Sequence, residues 1–135
     1  MSTATPVAFT DVTSVQNTAH TGDARIVVTT DAASASDLAR LVPAATGPAG
    51  RALVAAFQGQ QRTGGYAIRI TAIERQGQHL IVHATFTAPA RDAIVIQILT
   101  SPAHVVSVAA SDVSGVRDAV LLDDSGAERA RANVP

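Results

Sequence analysis

The sequence predicts a mainly β domain of the α+β class: an antiparallel β-sandwich or partly open barrel of six to eight strands with one short helix. Hydrophobic residues make up 47% of the 135 residues, so one domain, residues 1–135, can bury a core. Aliphatic side chains dominate while aromatic residues are only 3%, which favours strands. Short apolar runs also alternate with Gly, Pro and Asn breaks, as expected for many short strands.

Each predicted strand is a β-branched or alternating segment between such breaks. The predicted strands are 9–15, 25–30, 52–58, 66–75, 79–88, 93–99, 104–109 and 119–122. Residues 52–58 are apolar on both faces, which indicates a central strand or one beneath the helix, and residues 93–99 are apolar on nearly both faces. Residues 127–135 are expected to be a frayed tail or a weak edge strand.

One segment, residues 31–43, has a helical pattern. Leu38, Leu41 and Val42 share one face, and Pro43 ends the helix. Ser34 or Ser36 is the expected N-cap, with Asp37 in the first turn.

The hairpin of strands 66–75 and 79–88 has a predicted register. Pairing the apolar faces sets Ile68 against Phe86, Ile70 against Ala84, and Ala72 against Val82. This register requires a connecting loop of three or five residues.

Composition excludes several kinds of partner. The net charge is −1 and the cations are scattered, so we expect no nucleic-acid partner. No run is long enough for a membrane span, and without cysteine there is no disulfide or thiolate metal site. All cations are Arg and Ala is abundant, which points to a GC-rich bacterial genome. No leader is visible: we expect a cytoplasmic protein if this is the whole gene product, and an extracytoplasmic one if a leader was removed.

Patterns typical of catalysis are also missing. No Gly-x-Ser-x-Gly elbow occurs, and Gly64-Gly65 leads into a strand with no Lys, unlike a phosphate loop. His79 and His83 would lie roughly 13 Å apart on a strand, too far for one metal ion. We therefore expect no enzyme, with no catalytic, cofactor-binding or metal-binding residues.

The loop before the hairpin combines features that suit protein recognition. Residues 58–66 offer amides, one guanidinium, one hydroxyl and the only Tyr, Tyr66. The simpler alternative is a tight turn in which a glycine supplies a positive φ angle and Tyr66 covers the core.

Three motifs in the second half carry a family resemblance. They are residues 53–59 (LVAAFQG), the run 62–66 (RTGGY) with Ile68 and Ile70, and Gln97 with 100–102 (TSP) and 104–106 (HVV). In this order they resemble the C-terminal domain of the PrcB family of protease-complex subunits, with a PrcB-like core at residues 52–108. Arg62 stands where the family often has Pro, and Ala103 where an aromatic is usual.

The resemblance implies a non-catalytic accessory subunit of a protease complex, in a family whose members are typically exported. Its partner would be a protein, of which a subtilisin-like protease is one candidate. Two alternatives stay open: a protease inhibitor working by loop insertion, suggested by a similarity to the Thr-Thr-Gly-Tyr loop of chagasin-type inhibitors, and a structural domain that forms a homodimer through an edge strand. The expected partner-binding residues lie in the 60–66 loop and the 100–104 segment: Gln60, Gln61, Arg62, Thr63, Gly64, Gly65, Tyr66, Thr100, Ser101, Pro102 and His104.

Overall fold

The computed structural model describes residues 4–46 and 50–134. Within them, no helix has the length and apolarity needed to cross a membrane. The described elements, in chain order, are β1 Thr5–Pro6, β2 Phe9–Val15, β3 Arg25–Thr29, α1 Ala32–Leu41, β4 Arg51–Phe57, β5 Ala67–Gln76, β6 His79–Thr87, β7 Ala103–Ala109, a 3₁₀ turn Ala110–Asp112, β8 Asp118–Leu122 and β9 Glu128–Asn133.

The strands form two sheets that pack face to face. One sheet has the order β1-β5-β6-β8-β9 and the other β2-β7-β4-β3. The predicted β-sandwich is confirmed, and the sheets do not close into a barrel. Two details differ from expectation: the described residues contain nine strands, and β6 pairs with β8 in parallel.

Burial explains the apolar character of β4. Side chains such as Val54 and Val106 fill the core between the two sheets. The opposite face of the same sheet carries Leu53 and Phe57, which are covered by Leu38 of α1 and by Val42 at its C-cap. Strand β4 is therefore both central and beneath the helix, so neither of its faces meets water.

The helix begins with a different cap from the one predicted. Asp31 is the N-cap, and its carboxylate accepts the Ser34 N–H at 2.8 Å. Ser34 lies inside the first turn and closes a capping box by accepting the Asp31 N–H at 3.2 Å. The Ser34 and Ser36 cap predictions were wrong, and Asp37 lies beyond the first turn.

The β5–β6 hairpin keeps its predicted apolar face by an unexpected route. Ile68 faces Phe86 and Ile70 faces Ala84 as predicted, but Ile73 rather than Ala72 faces Val82. A bulge between Ile70 and Ala72 inserts one residue into β5. The connecting loop is therefore the two-residue turn 77–78, and the prediction of an odd loop was wrong.

The largest correction concerns residues 93–99, which form no strand. The chain from Thr87 crosses one end of the sandwich and enters β7 at Ala103. Alternating β-branched residues predicted a buried strand, yet most of this segment is exposed. By contrast, the predicted C-terminal tail forms β9, an edge strand up to Asn133; its last residue, 135, lies outside the described residues.

Replacing Leu38 with Ala tests the anchoring of the helix. Leu38 is the buried residue of α1 and packs on the β4 face, so its loss should leave a cavity and lower the free energy of unfolding by about 2–4 kcal/mol. Urea unfolding followed by circular dichroism measures this change. The exposed Ser36→Ala variant is the control and should stay within about 0.5 kcal/mol of the parent protein; equal effects of the two would contradict the packing role.

Candidate partner-binding site

Three loops meet at one end of the sandwich, around Thr100. Its N–H donates to the Gln61 carbonyl at 2.9 Å, and its carbonyl accepts the Gln61 N–H at 2.7 Å. The Thr100 hydroxyl donates to the Thr63 carbonyl at 2.8 Å, and the Gln58 N–H donates to the Pro102 carbonyl at 3.0 Å. These bonds hold the 58–66 loop against the 100–102 segment. The two groups of predicted site residues, in the 60–66 loop and the 100–104 segment, therefore lie side by side.

Ser101 ties the same point to the third loop, residues 16–23. Its N–H donates to the Gln16 carbonyl at 2.8 Å, and its carbonyl accepts the Thr18 N–H at 2.9 Å. Its hydroxyl donates to the His20 carbonyl at 2.7 Å and lies 2.7 Å from the Thr18 hydroxyl. The serine hydroxyl contacts both Thr18 and His20, which an apolar side chain could not do.

The predicted site residues differ in how far they reach the surface. Gln60, Arg62 and Gly65 are exposed, whereas Gln61, Thr63, Gly64 and Tyr66 are half-buried. Thr100, Ser101, Pro102 and His104 are all buried. Their side chains therefore support the loop from below and do not form the outer surface that a partner would meet.

An exposed apolar segment lies beside this loop. Among the described residues, the large hydrophobic side chains exposed to solvent are Ile94 (fully exposed), Ile96 (73%), Leu99 (58%) and Ile98 (52%). The Gly64 N–H donates to the Ile96 carbonyl at 2.9 Å and so fixes the segment against the loop. Sequence reasoning missed these four residues because their alternation was interpreted as a buried strand. The flanking Pro89 and Pro102 were the available signal that the segment lies outside the sheets.

Gly65 allows the 58–66 loop to pack closely against Pro89 and Val95. Its φ angle is +89°, a conformation that strongly favours glycine. A Cβ atom here would lie 2.8 Å from the Pro89 Cβ and 3.2 Å from a Val95 methyl. Gly64 differs: it has no positive φ, and a Cβ there would meet Ile96 at 3.9 Å, an ordinary contact. The expectation of a glycine with positive φ is confirmed at Gly65.

Below the loops, buried His104 connects three strands. Its Nδ1 accepts the Ile70 N–H of β5 at 2.9 Å, so in the neutral ring Nε2 carries the proton and donates to Asp11 of β2 at 3.1 Å. Strand β5 has its bulge directly after Ile70, and β2 has one directly after Asp11. His104 therefore joins the two sheets at the position where both ladders are interrupted.

The surroundings of His104 favour its neutral form. Burial lowers the pKa of His104 below its ordinary value of 6.5, and the Arg69 charge adds to this effect, while the Asp11 carboxylate opposes it. Protonation would also place a second N–H against the Ile70 N–H. The imidazole of His104 is therefore neutral in the fold, where its Nδ1 acts as a hydrogen-bond acceptor.

The described surface also has a cleft away from these loops. An open cleft of about 840 Å³ lies at the opposite end of β4, beneath the start of α1. Small side chains form most of its wall, and the guanidinium of Arg51 is already bonded to Ser107. Within residues 4–46 and 50–134, no group of three or more His, Asp or Glu side chains is placed to hold a metal ion.

Comparison with known proteins identifies the region that contains this site. Residues 52–109 match the family model of the PrcB C-terminal domain. The predicted resemblance to PrcB is confirmed. The match covers a little under half of the chain and runs from β4 to β7, so the PrcB-like segment includes the 58–66 loop, the apolar residues and Thr100. Separate searches of curated proteins and of solved structures found no match.

Replacing Gly65 with Ala tests the geometry of the loop. The positive φ angle and the close Pro89 contact should together cost about 1–3 kcal/mol of folding free energy. Thermal or urea unfolding measures the loss. Gly64→Ala is the matched control one residue away, and it should be nearly neutral because its added methyl has room; a Gly64→Ala variant as unstable as Gly65→Ala would contradict the assignment.

The His104 contacts predict how stability depends on pH. Because the folded pKa lies below the ordinary 6.5, the unfolded chain binds more protons in the window between the two values. Neutral His104 stabilises the folded state fully at pH values above the pKa that His104 has in the unfolded chain. The free energy of unfolding should therefore fall as the pH drops from 7.5 toward 5.

Urea titrations at several pH values compare the parent protein with a His104→Gln variant. The parent should be the more stable at pH 7.5, and the difference between the two should shrink at acid pH as neutral His104 loses its advantage. A constant difference across this range would show that His104 does not titrate as inferred.

Proposed function

We propose that this chain is a non-catalytic, protein-binding module of the accessory-subunit type found in protease complexes. The observation that carries the proposal is the exposed apolar segment, held beside the 58–66 loop inside the PrcB-like segment. An exposed cluster of four large aliphatic side chains is costly in water, and such clusters mark surfaces that another protein covers.

The composition of this surface supports a protein partner. The segment is apolar, and Gln60 and Arg62 are exposed polar and charged residues of the adjoining 58–66 loop. An apolar centre with a polar rim is typical of protein interfaces, in which arginine is also enriched. The buried residues Thr100 and Ser101 hold this surface in one conformation, which reduces the entropy lost on binding.

The same geometry favours a role without chemistry. Both ring nitrogens of His104 are engaged by Ile70 and Asp11, so this buried histidine has no free nitrogen to act as a general base. The family match supports a relation to protease complexes, and a secreted, subtilisin-like protease is the partner to test first.

The proposal is tested by binding to a purified protease. Tagged protein is used to purify a protease from the source cells, the protease is identified by mass spectrometry, and binding is then measured with both proteins pure. A double variant, Arg62→Ala with Leu99→Ser, removes one rim charge and one exposed apolar side chain. We expect it to fold normally and to bind at least ~10-fold more weakly, equivalent to about 1.4 kcal/mol.

The control removes an exposed arginine at the far end of the sandwich. Arg117→Ala should bind as the parent does, because Arg117 adjoins the His79 end of β6, away from the loops. Equal binding by the double variant would overturn the surface assignment, and capture of no protease would overturn the function. Protease activity measured at saturation separates an accessory subunit, which leaves the protease active, from an inhibitor, which abolishes turnover.

A further inference from the structure

We propose that His104 is a pH-dependent positioning residue of the partner-binding surface: its neutral ring holds the 58–66 loop in the closed arrangement described above, and protonation of the ring opens the loop. The inference rests on the proposed function, because it concerns how that surface is regulated. Two observations carry it. His104 lies at the base of the loop, and its bond to Ile70 requires a ring nitrogen without a proton.

His104 joins the two strands between which the 58–66 loop runs. Strand β4 leads into the loop, and β5 leads out of it into the other sheet. His104 lies opposite Ala56 in the β4–β7 ladder, and its Nδ1 accepts the Ile70 N–H of β5 at 2.9 Å. The imidazole therefore fixes the start of β5 against the end of β4, and with it the separation of the two ends of the loop.

A second side chain, Gln58, also crosses between the sheets at the base of the loop. Its Nε2 donates to the Thr87 carbonyl at 2.9 Å, and Thr87 pairs with Ala67 at the start of β5. An amide does not titrate, so this bond is the same at every pH. Loss of the His104 bond should therefore loosen the loop and the start of β5 without detaching them from the sandwich.

The bond between His104 and Ile70 is incompatible with a charged ring. A backbone N–H can only donate, so Nδ1 must offer a lone pair to it. Protonation places a hydrogen on Nδ1 and turns two N–H groups toward each other. The bond is then lost, and the buried imidazolium is stabilised by moving toward water and the largely exposed carboxylate of Asp11.

The other three histidines have bonds that survive protonation. The His20 Nε2 lies 2.7 Å from the Asp23 carbonyl oxygen, while His79 and His83 each face a carboxylate, at 2.6 and 2.8 Å. An oxygen acceptor accepts a hydrogen bond from a charged imidazole as it does from a neutral one. All four histidines lie in the described ranges, and of these only His104 would lose a hydrogen bond on protonation.

Two charged groups act on His104, one from each neighbouring strand outside the β4–β7 pair. Burial lowers the pKa of His104 below its ordinary value of 6.5; the Asp11 carboxylate of β2 opposes this effect, and the Arg69 charge of β5 adds to it. Strand β4 presents the apolar Ala56 opposite the ring. In the open state the ring regains contact with water and its ordinary pKa, so the open state gains stability relative to the closed one as the pH falls below 6.5.

Amide hydrogen exchange of the intact chain, followed by nuclear magnetic resonance, tests the opening without a partner. The reporters are the N–H groups of Gln61, Gly64 and Ile70, which donate to Thr100, Ile96 and His104. After correction for the intrinsic exchange rate at each pH, we expect their protection to fall at least ~10-fold from pH 7.5 to pH 5. The Leu121 N–H in β8 should stay at least ~10-fold better protected than the reporters at both pH values, because the loop opens while the sandwich stays folded.

Two variants assign the response to a single histidine. His104→Gln keeps an oxygen that can accept the Ile70 N–H but does not titrate, so the protection of the reporters should become nearly independent of pH. His20→Gln is the matched control: it removes the other histidine beside these loops and should keep the full response. If the His104→Gln variant does not fold, the parent protein decides, because the chemical shifts of the reporters must follow the same titration curve as the ring nitrogens of His104.

Binding to the captured protease tests the consequence for function. Between pH 7.5 and pH 5 the parent should bind at least ~10-fold more weakly, equivalent to about 1.4 kcal/mol, and His104→Gln should lose this dependence. Ionisation of the protease itself affects both proteins equally and cancels in the comparison.

Three results would overturn the proposal: reporters that keep their protection at pH 5, a His104→Gln variant that retains the response, or parent binding that does not change with pH. Each of these leaves the proposed function standing. Capture of no protease has the opposite meaning, since it overturns the proposed function while hydrogen exchange still decides whether His104 opens the loop.

Discussion

The three loops at one end of this molecule depend on the burial of Thr100 and Ser101 between two of them. Their backbone and hydroxyl groups bond to Gln61, Thr63 and the 16–20 stretch at distances of 2.7–2.9 Å. Each such bond contributes only about 1 kcal/mol net, yet breaking one would strand a buried polar group at a cost of about 1–3 kcal/mol. The three loops are therefore fixed as one unit, although each is irregular by itself.

As a consequence of this arrangement, the residues that precede Thr100 stay outside the core between the two sheets. Once Thr100 is bonded beneath the loop and β7 starts at Ala103, the chain from Thr87 must cross outside both sheets. Ile94, Ile96 and their neighbours thus remain exposed to water. We interpret this exposure as the physical basis of the proposed partner binding.

A second buried polar residue, His104, links the two sheets of the sandwich by hydrogen bonds. A neutral imidazole between the sheets accepts the Ile70 N–H and donates to the Asp11 carboxylate, next to the bulges of β5 and β2. An apolar side chain of similar size would leave the Ile70 N–H without its partner. This role explains why the histidine of the 104–106 motif is buried and not presented to a partner.

The sequence by itself determined the sandwich, most of its strands, the helix and the relation to PrcB, because these follow from local alternation, β-branching and motif order. It also located the 60–66 loop and the 100–104 segment, which the fold brings together. Only the tertiary structure decided which of these residues are exposed, because burial depends on contacts between loops far apart in the chain. The same holds for the bulge after Ile70, which makes a two-residue turn compatible with the apolar face. It holds above all for residues 93–99: their local pattern is that of a strand, and the completed pairing of β7 with β2 and β4 leaves them without a position in either described sheet.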